Sequence, residues 1–473
     1  MIEPVDPNLK KRFETTPLED IKMAIGDDLL NYVSDYLDDL GVVNHQKIIP
    51  LYFSSLGAHI MNLLNVGCAV DGGSFCPFYK HLDTGCGRYG RESKSPNFLT
   101  KFNMHQDLRA HIMYVAPSGY SKNFFMDMFM DPKYGFLVGT SLPFRKPKSL
   151  TEAAYTGTLG GGDKDKRGEP VYGLAKYYCS GILGITEFSS LTNMSDTTHS
   201  SNLMNFMLEG LETGEIDKFL GQGNIHYYTY HTLWGATQPG YRFDLSSGMG
   251  RRLNFHLFIP TKEEEKQYEE AQDQGYTVRP NETILTYIRG YIYKLWNTVN
   301  ITGVRFSEEY EDWKRQHEVI RHTDYNLFDN IAMGYNFVVN YIPQYSGEIG
   351  VLTVKMDQRL KSMLEDLVQA RKMLTSESLV EWLMFLHEMD DQPMSMYQVI
   401  RQVQEKQLLT WSDAVQRMKM ALDEGIFGQF KYEGGNGEHY PVVYKKSLYN
   451  NVQDAVNAWS ENHKSKDTLK DLY

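Results

Sequence analysis

The sequence predicts an α/β protein: a parallel sheet covered by helices on both faces, followed by a helical segment and a small helix-and-hairpin domain. Three observations predict it. Short apolar runs at His111–Val115, Ser180–Ile185, Thr232–Ala236 and Leu253–Ile259 alternate with helical and glycine-rich stretches, the pattern of strands buried on both sides. The first run opens into Pro117-Ser118-Gly119-Tyr120-Ser121-Lys122-Asn123, a small-residue turn that reaches a lysine. Near the C-terminus, amphipathic helical patterns lead into a glycine-rich turn between two strand-like runs.

Residues 1–45 are polar and acidic, with helical patterning over Ile21–Leu40, and read as an N-terminal extension or small helical cap. From Ile48 to Val70 there is no Asp, Glu, Lys or Arg, a stretch long enough to span a bilayer. Pro50, Ser54, Ser55, His59, Asn62 and Asn65 would then face lipid, so a core helix with Leu56, Ile60, Leu63 and Leu64 on one face is expected, and no membrane segment. The α/β core runs over 46–260. Residues 261–280, with Glu263, Glu264, Glu265 and Lys266, form a charged connector. Residues 281–345 read as helical and Val351–Leu374 as one long amphipathic helix, which makes 261–375 a connector and lid.

The segment 376–446 has its own logic. Met396, Val399, Ile400 and Val403 fall at i, i+3, i+4 and i+7. Thr410 and Asp413 suit a capping box ahead of Trp411, Ala414, Val415, Met418 and Leu422, and Gly425 stops that helix. Ile426–Tyr432 and Tyr440–Tyr444 flank Gly434-Gly435-Asn436-Gly437 as a β-hairpin. Helices followed by a hairpin give a winged-helix reading, with a polar tail over 447–473.

Bulk composition narrows the function classes. At 473 residues the chain is too long for one compact core, and two to three domains are expected. Its 41% hydrophobic and 23% charged residues fit a globular protein. The net charge of −12 supplies no global field for nucleic acid, so phosphate contacts must come from local basic loops. Four cysteines and no N-terminal apolar leader point to a reducing, cytoplasmic setting, which makes the Asn193, Asn281 and Asn300 triplets chance matches to a glycosylation motif.

The chemistry-bearing residues follow one another in order. A turn of small residues after a buried strand lets backbone N–H groups converge on a phosphate, and Lys122 adds a point charge. The run Ser180–Phe188 ends in an acid, Glu187, where α/β sheets place their chemistry. Thr232–Pro239 ends in a polar amide, Gln238. Arg251 and Arg252 stand just before the last strand. A phosphate loop, a carboxylate, a polar sensor and a cation are the parts a nucleotide motor needs.

In order and wording these segments resemble the AAA+ core of the minichromosome-maintenance (MCM) helicase family. That family's phosphate loop, P-G-x-A-K-S, is similar to Gly119-Tyr120-Ser121-Lys122; its G-x-x-x-I-D-E-F is similar to Gly181–Phe188. Its A-A-A-N-P followed by G-R-Y-D resembles Gly235–Pro239 followed by Gly240–Asp244, and its S-R-F-D-L-I-F resembles Arg251–Leu257. Thr156–Leu159 through Ala175 is similar to its inserted hairpin. The resemblance spans about residues 50–260, with the lid and winged helix alike in architecture.

The resemblance implies an AAA+ fold with ATP and Mg²⁺ as cofactors, residues 117–123 around the phosphates and Lys122 on the β/γ-phosphates. It implies Glu187 as the residue that polarises water, Gln238 as the γ-phosphate sensor, and Arg252, with Arg251 beside it, as a finger reaching a neighbouring subunit. A homo-oligomeric ring, a hexamer, moving on single-stranded DNA follows. Two hairpins would grip that DNA: one over 157–178 with Lys164, Lys166 and Arg167 at its tip, one over Ile216–Thr229 with Lys218. Asp163, Asp165, Glu169 and Asp217 oppose those charges.

The departures are specific. Asn123 stands where the family has the hydroxyl that holds Mg²⁺, and Thr186 where it has the metal's carboxylate, so binding is expected more firmly than hydrolysis. With residues 1–45 ahead of the core, the family's N-terminal DNA-binding region is not expected. The helix Thr410–Glu424 carries Arg417 and Lys419 against Asp413, Asp423 and Glu424, no footprint for DNA. Cys68, Cys76, His81 and Cys86 invite a zinc reading but lack a C-x₂-C pair, and incidental thiols are the simpler one. Arg321 is a second-sensor candidate by location. The alternatives are a nucleotide-binding ring scaffold or regulator without turnover, and a winged-helix transcription regulator.

Overall fold

The computed structural model describes residues 15–463, apart from internal stretches of which the longest are 76–99, 161–168, 189–201, 239–248 and 376–388. The chain forms two compact units, Met1–Phe258 with Glu263–Lys372, and Ile259–Lys262 with Met373–Tyr473.

The first unit is an α/β body around a five-stranded sheet: β1 His111–Val115, β2 Phe144–Arg145, β3 Ile182–Ile185, β4 Thr232–Thr237 and β5 Leu253–Leu257, in the spatial order β5-β1-β4-β3-β2. Every pairing is parallel. The four apolar runs are strands, and β1, β3 and β4 are buried along their whole length. Sequence alone missed β2, whose two residues carry too little apolar pattern to register. From β1 the chain steps outward to β2, returns through β3 and β4, and passes β1 to reach β5. Right-handed crossovers send the connection after β1 to one face and those after β3 and β4 to the other. The carboxyl end of β1 is therefore the switch point where such sheets hold ligands.

One face of the sheet carries the main core. Trp234 of β4 packs edge-on against Tyr52 and Phe129, with ring centroids 4.8 and 5.2 Å apart. Tyr52 belongs to the helix His45–Asn65 and Phe129 to the helix Lys122–Met130. Gly184 of β3 packs closely there: a Cβ would lie 2.6 Å from the sulfur of Met126, which would have to shift. The charge-free stretch is a core helix as far as Asn65; among the described residues no helix is long and apolar enough to cross a membrane.

Before residue 45, Ile21, Ile25, Leu29, Leu30 and Val33 lie in the same core cluster as Tyr52 and Trp234. One expectation is corrected: Val351–Leu374 is not one helix. Val351–Val354 is a strand paired in parallel with Gly303–Phe306, inside the region read as helical, and the helix begins at Gln358. Asp357 accepts the N–H of Leu360 and fixes that start, while β-branched Val351, Thr353 and Val354 favour the extended form.

The second unit holds the helices Met396–Gln407 and Trp411–Asp423, the antiparallel strands Phe427–Glu433 and His439–Lys445, and the helix Val452–His463. Met394–Ser395 adds a third, outer strand. Val399, Val403, Ala414, Met418 and Phe427 form its core, as their helical and strand spacing requires. Gly425 ends the second helix at φ 76°, with Ile426 N–H on Ala421 O, a left-handed stop.

Candidate functional site

The loop after β1 is tied to the neighbouring strand: Ala116 N–H donates to Thr237 O at 3.2 Å. Gly119 takes φ +93°, a conformation that excludes most side chains, and the helix starts at Lys122. Lys122 is only 7% exposed. Its Nζ donates to Ala116 O at 2.8 Å and to Pro117 O at 2.6 Å, so the ammonium is drawn into its own loop. Burial lowers its pKa, and the Glu187 carboxylate acts against that shift. Ser118 and Ser121 lie outside the described residues.

Tyr120 anchors the loop from outside. Its hydroxyl donates to Glu265 Oε1 at 2.6 Å, and its ring meets Tyr268 and Phe258 edge-on. Burial first, and then Glu265, raises its pKa, keeping the donor protonated. Nothing in the sequence linked Tyr120 to the charged helix Lys262–Gln274, because partners 145 residues apart leave no local pattern.

Sheet register brings the other residues to the same edge. Ile185 pairs with Gly235 and Thr237 with Val115, so Thr186, Glu187 and Gln238 leave β3 and β4 beside the loop after β1. Glu187 and Gln238 are exposed, Thr186 is half-buried, and Asn123 is exposed on the first turn of its helix. Thr186 and Glu187 also line a small open cleft with Pro147, Lys148, Ser149 and Leu150. A helix N-terminus, a glycine at positive φ and a lysine make a fit for phosphate. The fit for a metal is poorer. The positions in question offer an amide and a hydroxyl, and no group of three His, Cys, Asp or Glu among the described residues could hold an ion.

Arg252 sits at the other end of the sheet. It precedes Leu253, which pairs with His111, the first residue of β1. Five strand residues, about 16 Å at 3.3 Å each, separate that edge from the phosphate loop. The Arg252 guanidinium pairs with Glu212, Arg251 is exposed, and Arg371 steadies the turn through Gly250 O and Leu253 O, both at 3.2 Å. The same edge buries His59, His111 and His231, each satisfied as a neutral ring. His59 donates to Ser180 O and accepts from Thr232; His111 accepts from Leu233 N–H and donates to Leu211 O.

Lys218 is not a free hairpin cation. It is 8% exposed, pairs with Glu152 at 3.0 Å, and donates to Thr156 Oγ1 and Gly157 O at 3.1 Å. The strands Glu215–Leu220 and Gly223–Tyr228 form the expected second hairpin, and Lys218 staples it to the base of the first, Gly157–Leu159 with Pro170–Tyr172. Alternation along the strand turns residue 218 inward and leaves Phe219 78% exposed. Lys164, Lys166, Arg167, Arg321, Cys68, Cys76, His81 and Cys86 lie outside the described residues. No protein-family model matches the chain, and no curated protein is detectably similar to it.

Proposed function

We propose that this chain is an AAA+-type ATP-binding protein resembling the MCM helicase core, which assembles into a ring and acts on DNA. The observation that carries it is the convergence of Lys122, Glu187 and Gln238 at the carboxyl edge of three adjacent parallel strands, around a loop with Gly119 at φ +93°. Chain order alone would not require residues 122, 187 and 238 to meet.

In this reading the N–H groups of the loop and Lys122 neutralise the phosphate tail of ATP. Glu187 accepts a proton from the attacking water, and Gln238 holds the terminal phosphate by its amide. Arg252, at the amino edge of its own sheet, serves the nucleotide of the next subunit, which is what makes a ring necessary. Asn123 and Thr186 would be the protein-side neighbours of a nucleotide-borne magnesium ion, which would supply charge neutralisation there. DNA contact then rests on the first hairpin's Lys164, Lys166 and Arg167, since Lys218 is committed to Glu152. The second unit, with three described helices, a hairpin and a short third strand, suits a winged helix.

Calorimetry with ATP and magnesium, and steady-state hydrolysis with and without single-stranded DNA, test the reading. Binding weakened about 10- to 100-fold by Lys122→Ala and DNA-stimulated turnover lowered roughly 10²–10⁴-fold by Glu187→Gln are expected; absence of binding in the unaltered chain rejects it. One observation favours a second reading, a nucleotide-binding scaffold: the metal positions carry no carboxylate. Retained binding without turnover selects it.

A further inference from the structure

The edge strand β2 brings a second lysine to the carboxyl end of the sheet. Arg145 pairs with Leu183, so Lys148, three residues on, leaves the edge at the level of Thr186, three residues beyond Leu183. The two meet in the small open cleft, to which one segment gives Lys148 and Ser149 and the other Thr186 and Glu187. Two residues earlier, Lys146 pairs with Asp127 of the helix that starts at Lys122. The segment after β2 therefore runs along the side of the sheet that carries that helix. Lys148 itself is exposed and makes no hydrogen bond or ion pair among the described residues.

That set of groups suits an anion better than a metal. Magnesium takes hard oxygen ligands, carboxylates above all, and Thr186 offers a neutral hydroxyl. An ammonium in the same cleft repels a second cation, whereas it attracts a phosphoryl group, to which the Ser149 and Thr186 hydroxyls can also donate. Glu187 is the one opposing charge in the cleft, and Lys148 offsets it. We propose that Lys148 neutralises the terminal phosphate of the bound nucleotide, reaching it across the cleft beside Thr186, so that the chain binds nucleotide without needing magnesium. This rests on the nucleotide-binding reading and gives the neutralising charge to a group of the chain's own, which makes a nucleotide-borne ion dispensable.

The test is calorimetric titration of the full chain with ATP, once with magnesium and once with EDTA. The unaltered chain is expected to bind ATP in EDTA at least as tightly as with magnesium. Lys148→Ala is expected to lose about tenfold in EDTA, the worth of one hydrogen bond to a charged group, and less when magnesium is present. Lys148→Arg is expected to keep the affinity. Because Lys148 is exposed, its removal is expected to leave the melting temperature unchanged, so the loss reads binding and not folding. Adding Thr186→Asp to Lys148→Ala restores a carboxylate where the ammonium has gone, and that double variant is expected to bind only with magnesium. An unaltered chain that binds with magnesium but not in EDTA overturns the proposal and leaves the nucleotide reading standing. So does a Lys148→Ala affinity unchanged in EDTA. Unaltered protein that binds ATP in neither medium rejects the nucleotide reading itself, and this proposal with it.

Discussion

Lys122 and Glu187 are electrostatically joined across the carboxyl edge of the sheet: burial draws the Lys122 ammonium below its ordinary range, and the Glu187 carboxylate pushes it back. Lys122 follows β1 and Glu187 follows β3, and the two come together because β1 and β3 both flank β4. Lys122→Ala is therefore expected to weaken ATP binding by about 10- to 100-fold, the loss of one charge-assisted contact. Glu187→Gln is expected to leave binding in place while turnover falls by roughly 10²–10⁴. Calorimetry and a phosphate-release assay separate the two effects; equal loss of binding in both variants contradicts the division of roles.

Arg252 yields a test that depends on subunit mixing. Chains carrying Glu187→Gln and chains carrying Arg252→Ala should each be inactive. Mixed together they should regain part of the activity, because one interface then pairs an intact Glu187 site with an intact Arg252 from the neighbour. Recovery near zero at every ratio would mean that Arg252 does not act across an interface.

Acid should destabilise the first unit early. Burial is the largest cause lowering four of its buried imidazoles: His59 to about 3, His256 to about 4, and His111 and His231 well below the ordinary 6.5. A histidine kept neutral in the fold but free to ionise when unfolded supports the fold above pH 6.5. It withdraws that support as pH falls from 6.5 towards its folded value. Each such ring costs up to about 1.4 kcal/mol per pH unit in that window. Asp329, Asp366 and Glu209, raised by burial, act in the opposite direction. The melting temperature is expected to fall steadily from pH 6.5 to 5. A flat profile there would show that the rings are not held neutral.

The helices His45–Asn65 and His322–Gln344 cross at a pair of glycines. A Cβ on Gly57 would lie 2.3 Å from Gly334 O, and one on Gly334 would lie 2.0 Å from Ser54 O. Backbone cannot give way as a side chain can, so Gly334→Ala should cost about 1–3 kcal/mol or more through forced separation of the helices. Chemical denaturation measures it, and an unaffected midpoint would mean the helices do not cross so closely.

Lys218→Ala separates structure from DNA contact. Removing one partner of a buried pair leaves Glu152 uncompensated, at a cost of about 3–5 kcal/mol. A lowered melting temperature with unchanged salt dependence of DNA binding is expected. A reduced salt slope without loss of stability would instead place Lys218 on phosphate.

By itself the sequence determined the elements whose signal is local. Apolar runs marked four of the five strands of the sheet, the i, i+3, i+4 spacing marked the helices Met396–Gln407 and Trp411–Asp423 but not Val452–His463 in the segment read as a polar tail, and Gly425 marked a helix end. It also named Lys122, Glu187 and Gln238, because strand-to-loop transitions are readable over a few residues. Tertiary structure alone decided which of them meet. Sheet order set Lys122 beside Glu187 and sent Arg252 to the far edge, while strand parity buried Lys218 against Glu152 and turned Phe219 out. It also joined Tyr120 to Glu265. The reason is physical: a residue's propensity and spacing act within a few positions, whereas burial and pairing depend on chain segments a hundred or more residues away.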